Sequence, residues 1–340
     1  MRAVYLVLLA VLVSACSNPR EEVTVQLANQ VLLPAHEQWH ASNGALRVAA
    51  EGFCAGELDR PALEQSFYRA LQSWSYLQPL MVGPMAEGNR SWQVQFWPDK
   101  RNLVARQVEA LLDASNPLTP DALESASVVV QGLTAFEYVL FDETLALADS
   151  MARYCPLLTG IARHQQALSG SVLAMWEGPE GMLKALTQFP NDRYASADEA
   201  LASMLRTQIT AVDVLKKKLG VPMGRLNNGV PQPWQAEAWR SQHSIGNLQE
   251  SLAGARALWE RVRPLVGDAE LVTRIDAAYE NTAQKLAGLP DPLVAMVQDK
   301  ASLPRLKVLY ESIDDLENLQ QTELARDLGI QIGFNANDGD

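Results

Sequence analysis

The stretch Ala28–Phe53, ANQVLLPAHEQWHASNGALRVAAEGF, decides the fold. Its apolar or small positions are Val31, Leu32, Ala35, Trp39, Ser42, Leu46, Ala49 and Phe53. They recur at steps of three and four, the spacing of one face of an α-helix. A second such stretch opens at Pro61, a residue favoured in a first helical turn. It carries Leu63, Phe67, Leu71, Trp74 and Leu77 before Pro79. Further helical patterns cover 99–113, 120–141, 147–177, 195–219, 234–263, 268–288 and 304–328. Strand-type alternation is absent apart from a short ambiguous run, Ser91–Trp97. The chain reads as all-α.

Breaks between these helices set the organisation. Gly178-Pro179-Glu180-Gly181, continued by Pro190-Asn191-Asp192, separates a first helical domain (25–178) from a second (179–340). The first holds one irregular insertion at 79–98, with Gly83-Pro84, Gly88 and Trp97-Pro98. The second holds a loop from Gly220 to Pro233. At 340 residues the chain is long enough for two ordinary domains, and 48% hydrophobic content supplies their cores. The tryptophans, at helical spacing or in the insertion, read as core.

The first residues carry an address. Arg2 precedes an apolar run, Ala3–Val13, too short to cross a hydrocarbon core as a helix. Val13-Ser14-Ala15-Cys16 follows, a small residue before Cys, as in a lipoprotein processing site. Residues 1–15 therefore read as a signal peptide, Cys16 as lipidated, and 16–24 as a linker. Ser17 in place of Asp favours the outer membrane of a Gram-negative cell, on its periplasmic face. In that oxidising setting Cys54 and Cys155 are most simply a disulfide, the alternative being two buried thiols. The net charge of −12 argues against nucleic acid as partner, because neutralising phosphates takes clustered Lys and Arg.

Four stretches carry a family resemblance. Gln131-Gly132-Leu133-Thr134-Ala135-Phe136-Glu137 with the apolar run to Phe141 and Asp142 is similar to the GxHxxE segment of imelysin-like proteins. Phe96-Trp97-Pro98-Asp99 resembles the Trp-Pro element preceding it. Trp239-Arg240-Ser241 with Ser244 and Asn247 resembles a segment of the second family domain, and Gly333–Asp340 the family ending. The resemblance implies two helical-bundle domains with a candidate site between them, and an association with iron uptake. Some members have been classed as metallopeptidases. On these stretches the candidate binding residues are Glu137, Thr134, Trp97, Asp99, Arg240, Ser241 and Ser244, joined by the neighbouring Arg101 and His243; the cofactor is left open, with iron or another divalent metal as the candidate.

One position departs from the pattern. The motif His falls on Thr134, and a hydroxyl is a poor ligand for zinc or ferrous iron. Glu137 keeps its place, one helical turn on, among Leu133, Leu140 and Phe141. A carboxyl there is desolvated, which raises its pKa unless a cation such as Lys100, Arg101 or Arg240 pairs with it. It reads either as a ligand- or metal-binding carboxylate or as a structural one that orders arginines.

His36-Glu37-Gln38-Trp39-His40 matches HExxH, in which two His on one helical face chelate zinc and the Glu acts as base. Against it, the extended pattern fails at Asn43 and Leu46, and His36 and His40 share a flank with Asn29, Asn43 and Arg47 that reads as solvated. Glu64 is the nearest candidate for a third ligand. His164 reads as exposed or capping, and His243 with its serines as polar cleft lining. Asn335, Asn337, Asp338 and Asp340 read as a capped terminus ahead of a hard-cation site. The expectation is a non-enzymatic component of iron acquisition, bound to the membrane by its lipid and acting with iron-uptake proteins. A metallopeptidase, of imelysin type or through His36, Glu37 and His40, is the alternative, and a metal-free interaction module the third reading.

Overall fold

The computed structural model describes residues 18–113, 118–290 and 292–331; the signal segment, Cys16 and the tail Gly333–Asp340 lie outside them. Helix formation starts at Asn18, whose side chain accepts the Arg20 N–H ahead of Pro19. Helix α1 (Pro19–Leu27) passes through one π-helical stretch, Ala28–Leu32, into α2 (Leu33–Cys54). The chain is thus helical inside the 16–24 stretch where a linker was expected, because Asn18 and Pro19 make a helix start. Asp59 caps α3 (Arg60–Leu77) by accepting the Ala62 N–H. Next come α4 (Leu103–Leu112), α5 (Leu133–Phe141) and α6 (Met151–Glu177).

Helix α2 is the centre of the first bundle, with α3 along one side and α6 along the other. The periodic positions are the buried ones: Leu32, Trp39, Leu46, Leu63 and Leu77 have no exposed surface. Cys54 and Cys155 form a disulfide that ties the end of α2 to the start of α6, their Cα atoms 5.6 Å apart. Closing a loop this long is worth about 4–5 kcal/mol in the chain-entropy model.

The second bundle is α7 (Ala197–Gly220), α8 (Ser244–Val262), α9 (Ala269–Ala287) and α10 (Leu303–Asn318). Ser196 caps α7 by accepting the Glu199 N–H, and the Glu199 side chain reaches back to accept the Ala195 N–H. Helix α8 packs along α3, joining the bundles, and α1 lies against α7 and α8. Among the described residues there is no strand, and no helix is long and apolar enough to cross a membrane.

Two expected helices are interrupted. The 120–141 pattern becomes a short helix at Pro120–Glu124, a 3-10 turn at Val128–Val130 and then α5. The chain passes so close at Gly132 that a Cβ there would lie 2.5 Å from the Val94 carbonyl oxygen. The 234–263 pattern is helical only from Ser244; before it, Ala238 and Gln242 take positive φ values of 52° and 58°. The insertion forms 3-10 turns and a short helix, Arg90–Val94, in place of the ambiguous strand. Trp39, Trp74, Trp176 and Trp259 are core as expected, whereas Trp92 and Trp234 are largely exposed.

Candidate functional site

Helix α5 brings Thr134 and Glu137 to the junction of the bundles, and the two have different neighbours. The Thr134 hydroxyl accepts the Phe96 N–H at 3.1 Å and faces the Phe96 carbonyl at 3.3 Å, so it is spent clamping the insertion to α5. Glu137 is buried, and its Oε1 accepts both the N–H and the hydroxyl of Ser241, each at 2.8 Å. Burial pushes the Glu137 carboxyl above its ordinary pKa, against the lowering effect of the two Ser241 bonds and of the Arg240 charge. Its direct partner is thus Ser241, where Lys100, Arg101 or Arg240 was expected. An irregular backbone has N–H groups to spare, and here one of them reaches the carboxylate first.

Arg240 turns instead to Asp142 (2.8 Å) and Asn102 (2.9 Å), with its guanidinium 4.2 Å from the Trp239 ring centre. Burial works against the Asp142 charge, but the bonds from Arg240 and Thr144 outweigh it and hold the carboxyl below its usual range. Beside this pair lies a second, fully buried one: Lys218 on α7 binds Glu237 and Gln78. Ser244 bonds the Glu237 carbonyl. His243 stacks on Tyr68 at 4.8 Å and meets Gln72 at 3.1 Å. Trp97 donates to the Gln235 carbonyl, and Asp99 caps α4 at the N–H groups of Leu103 and Val104.

Outside this polar layer a groove of about 670 Å³ opens between the 99–105 segment, α5 and the 231–240 segment. Its lining includes Lys100, Arg101, Tyr138, Trp234, Trp239 and Arg240. Of the nine residues expected at the interface, Asp99, Arg101 and Arg240 line the groove. Thr134, Glu137, Ser241, Ser244, His243 and Trp97 form the layer behind it or tie its walls. Sequence reading missed Lys218, Glu237 and Trp234. Lys218 follows Lys216 and Lys217 in the last turn of a helix, where cations sit favourably in any case.

The HExxH stretch lies elsewhere, on α2. His36 is wholly buried, its Nδ1 2.8 Å from the Leu32 carbonyl and its ring against Trp176. Of the flank expected to be solvated, α6 covers His36 and Asn43 wholly and His40 and Arg47 in part, while Asn29 stays exposed. Burial lowers the His36 pKa to about 4. His40 meets the Ser169 hydroxyl, Glu37 points outward, and Glu64 is paired with Arg60. Among the described residues no three His, Cys, Asp or Glu side chains come together as a metal-holding group. His164, expected to be exposed or capping, is buried and bonded to the Glu124 side chain. Cys16 and Asn335, Asn337, Asp338 and Asp340 lie outside the described residues.

The family model described as Imelysin matches residues 32–320 of the chain. Among solved structures, an imelysin-like protein from Psychrobacter arcticum 273-4 is similar with a TM-score of 0.78 at 20% identity, over 93% of this chain and 97% of that one. A protein of Parabacteroides distasonis ATCC 8503, named as an iron-regulated protein A precursor, is similar with a TM-score of 0.72 at 14% identity, over 89% and 93%. At these identities the likeness is one of fold. No curated protein matches the chain.

Proposed function

The chain belongs to the imelysin family, and from that premise we propose that it is a lipid-anchored, non-enzymatic binding protein of the periplasmic face, outer membrane included, that serves iron acquisition. It would do so by holding a ligand, a metal complex or a partner in the groove between its bundles. The observation that carries this reading is the groove itself, lined by cations and aromatic rings and backed by a buried polar layer that fixes its walls. The iron association is supported by the family and by the name of one similar protein.

A resident metal ion fits the junction poorly. Thr134 has spent its hydroxyl on Phe96, and Glu137 is already bonded twice through one oxygen. The HExxH stretch fits no better, since His36 is enclosed against Trp176. Iron would therefore reach this protein as part of a complex or through a partner.

Lipidation at Cys16 would suit that role. Arg20, near the start of the described chain, pairs with Asp198 at the beginning of α7. The groove-lining loop follows the far end of that 24-residue helix. A helix of that length spans about 36 Å, so an anchored protein would hold its groove well away from the lipid. The test is growth under iron limitation of a strain lacking the protein, complemented with wild type, Cys16→Ala or Arg101→Glu/Trp234→Ala. Growth lost with the groove variant, at unchanged protein level, is expected. Growth equal to wild type overturns the reading.

A further inference from the structure

The chemistry of the groove narrows what it takes. Resting on the reading that the groove is the binding site, we propose that its ligand is a small anion with a planar conjugated ring. The charge follows from which groups are already spent. Asp99 gives both oxygens to the N–H groups of Leu103 and Val104, and Asp142 gives both to Arg240 and Thr144. Asp142 is neutralised by Arg240, which leaves only the single charge of Asp99, held at the start of α4. Lys100 and Arg101, by contrast, are exposed and have no ion-pair partner among the described residues. In a chain of net charge −12 the groove is left locally positive, which draws an anion.

The ring follows from the opposite wall. Trp234 is 56% exposed at the groove, so a ligand seated there gains apolar burial by covering it. Its ring meets that of Trp239 in a T-shaped contact, at 5.0 Å and 66°, in which Trp239 covers at most one of its faces and leaves the other for stacking. Trp239 is in turn fixed by the Arg240 guanidinium, itself held by Asp142 and Asn102. Pro231 and Pro233 restrict the backbone on the Trp234 side, so the segment that presents the ring has less backbone entropy to lose on binding. A volume of about 670 Å³ suits a small molecule better than a folded partner.

Three matched probes test both requirements on the full-length protein in mild detergent by calorimetric titration: 2-naphthoate, its saturated analogue decalin-2-carboxylate, and the neutral 2-naphthamide. Naphthoate is expected to bind at least ten-fold more tightly than either analogue. Trp234→Ala and Lys100→Gln/Arg101→Gln should each weaken it five-fold or more, the latter removing most of its salt dependence. Equal binding of decalin-2-carboxylate overturns the ring requirement, and equal binding of naphthamide overturns the charge requirement. No binding of any probe overturns the proposal whole. In that event, growth still lost with Arg101→Glu/Trp234→Ala under iron limitation leaves the groove as the binding site. Growth kept with that variant removes both readings.

Discussion

Two helices of this molecule bury a polar residue of a metal-type motif: α2 buries His36 and α5 buries Glu137. They end differently because of what faces them. Helix α2 is flanked by other helices, whose backbone N–H groups are consumed internally. His36 finds only its own turn's carbonyl and the Trp176 ring, and its Nε2 is left without a partner. Glu137 faces the irregular segment before α8, where Ala238 and Gln242 at positive φ free the chain from helical bonding. The Ser241 N–H and hydroxyl are therefore available to it. A motif on one helix fixes which side chains are neighbours, but the opposite element decides whether they form a site.

The largest effect that would sharpen the contrast lies in the junction. Lys218 and Glu237 are both almost wholly buried, and Lys218→Met leaves the carboxylate without a counter-charge. Breaking a buried pair from one side costs about 3–5 kcal/mol, whereas replacing both partners is often close to neutral. Urea unfolding at pH 7 should show that loss in Lys218→Met and most of it regained in Lys218→Met/Glu237→Met. A single variant costing under about 1 kcal/mol would mean that the pair is not what holds the junction.

The next effect belongs to α2. The His36 pKa is lowered from 6.5 to about 4 by burial, with the Leu32 carbonyl opposing. Between those values the unfolded chain takes a proton that the folded one refuses, so stability falls as pH falls through this window. The full loss is about 3 kcal/mol, at 1.36 kcal/mol per pH unit. His36→Phe keeps a ring against Trp176 and removes the titration. Wild type should lose that much more stability than His36→Phe on going from pH 7 to pH 4. Parallel losses in the two proteins would break the account of His36 as a neutral core residue.

The fold was largely legible because helical burial repeats every three to four residues. Leu63, Phe67, Leu71, Trp74 and Leu77 are all core, as their spacing requires. Periodicity presumes one buried stripe, however, and α2 is covered on two sides. That is why His36 and Asn43, on a flank that looked solvated, are buried. The interruption at Gly132 was hidden because it arises from the approach of Val94, which leaves no local trace. Glu137 stood out as a lone carboxylate on an apolar helix. Its partner did not, since Ser241 is 104 residues away and acts partly through its backbone. Trp234 was hidden by the habit that makes tryptophan core elsewhere in the same chain.

The smallest expected effect tests Glu137 itself. Two donors on Oε1 favour the charged form, and burial favours the neutral one; burial prevails, so the folded pKa lies above that of the unfolded chain. A carboxyl so raised contributes its stability at low pH and loses it as pH rises through the folded pKa, because the folded state then holds a proton more tightly than the unfolded one. Glu137→Gln imitates the protonated side chain, and its amide oxygen still accepts both Ser241 bonds. It should therefore match wild type near pH 4.5 and be the more stable of the two at pH 8. A variant less stable than wild type at pH 8 would mean that the Ser241 bonds prevail over burial. The fold would then favour the charged carboxylate over the neutral acid, directly behind a groove proposed as a site for anions. The sign of that small difference thus bears on the groove as well as on the helix behind it.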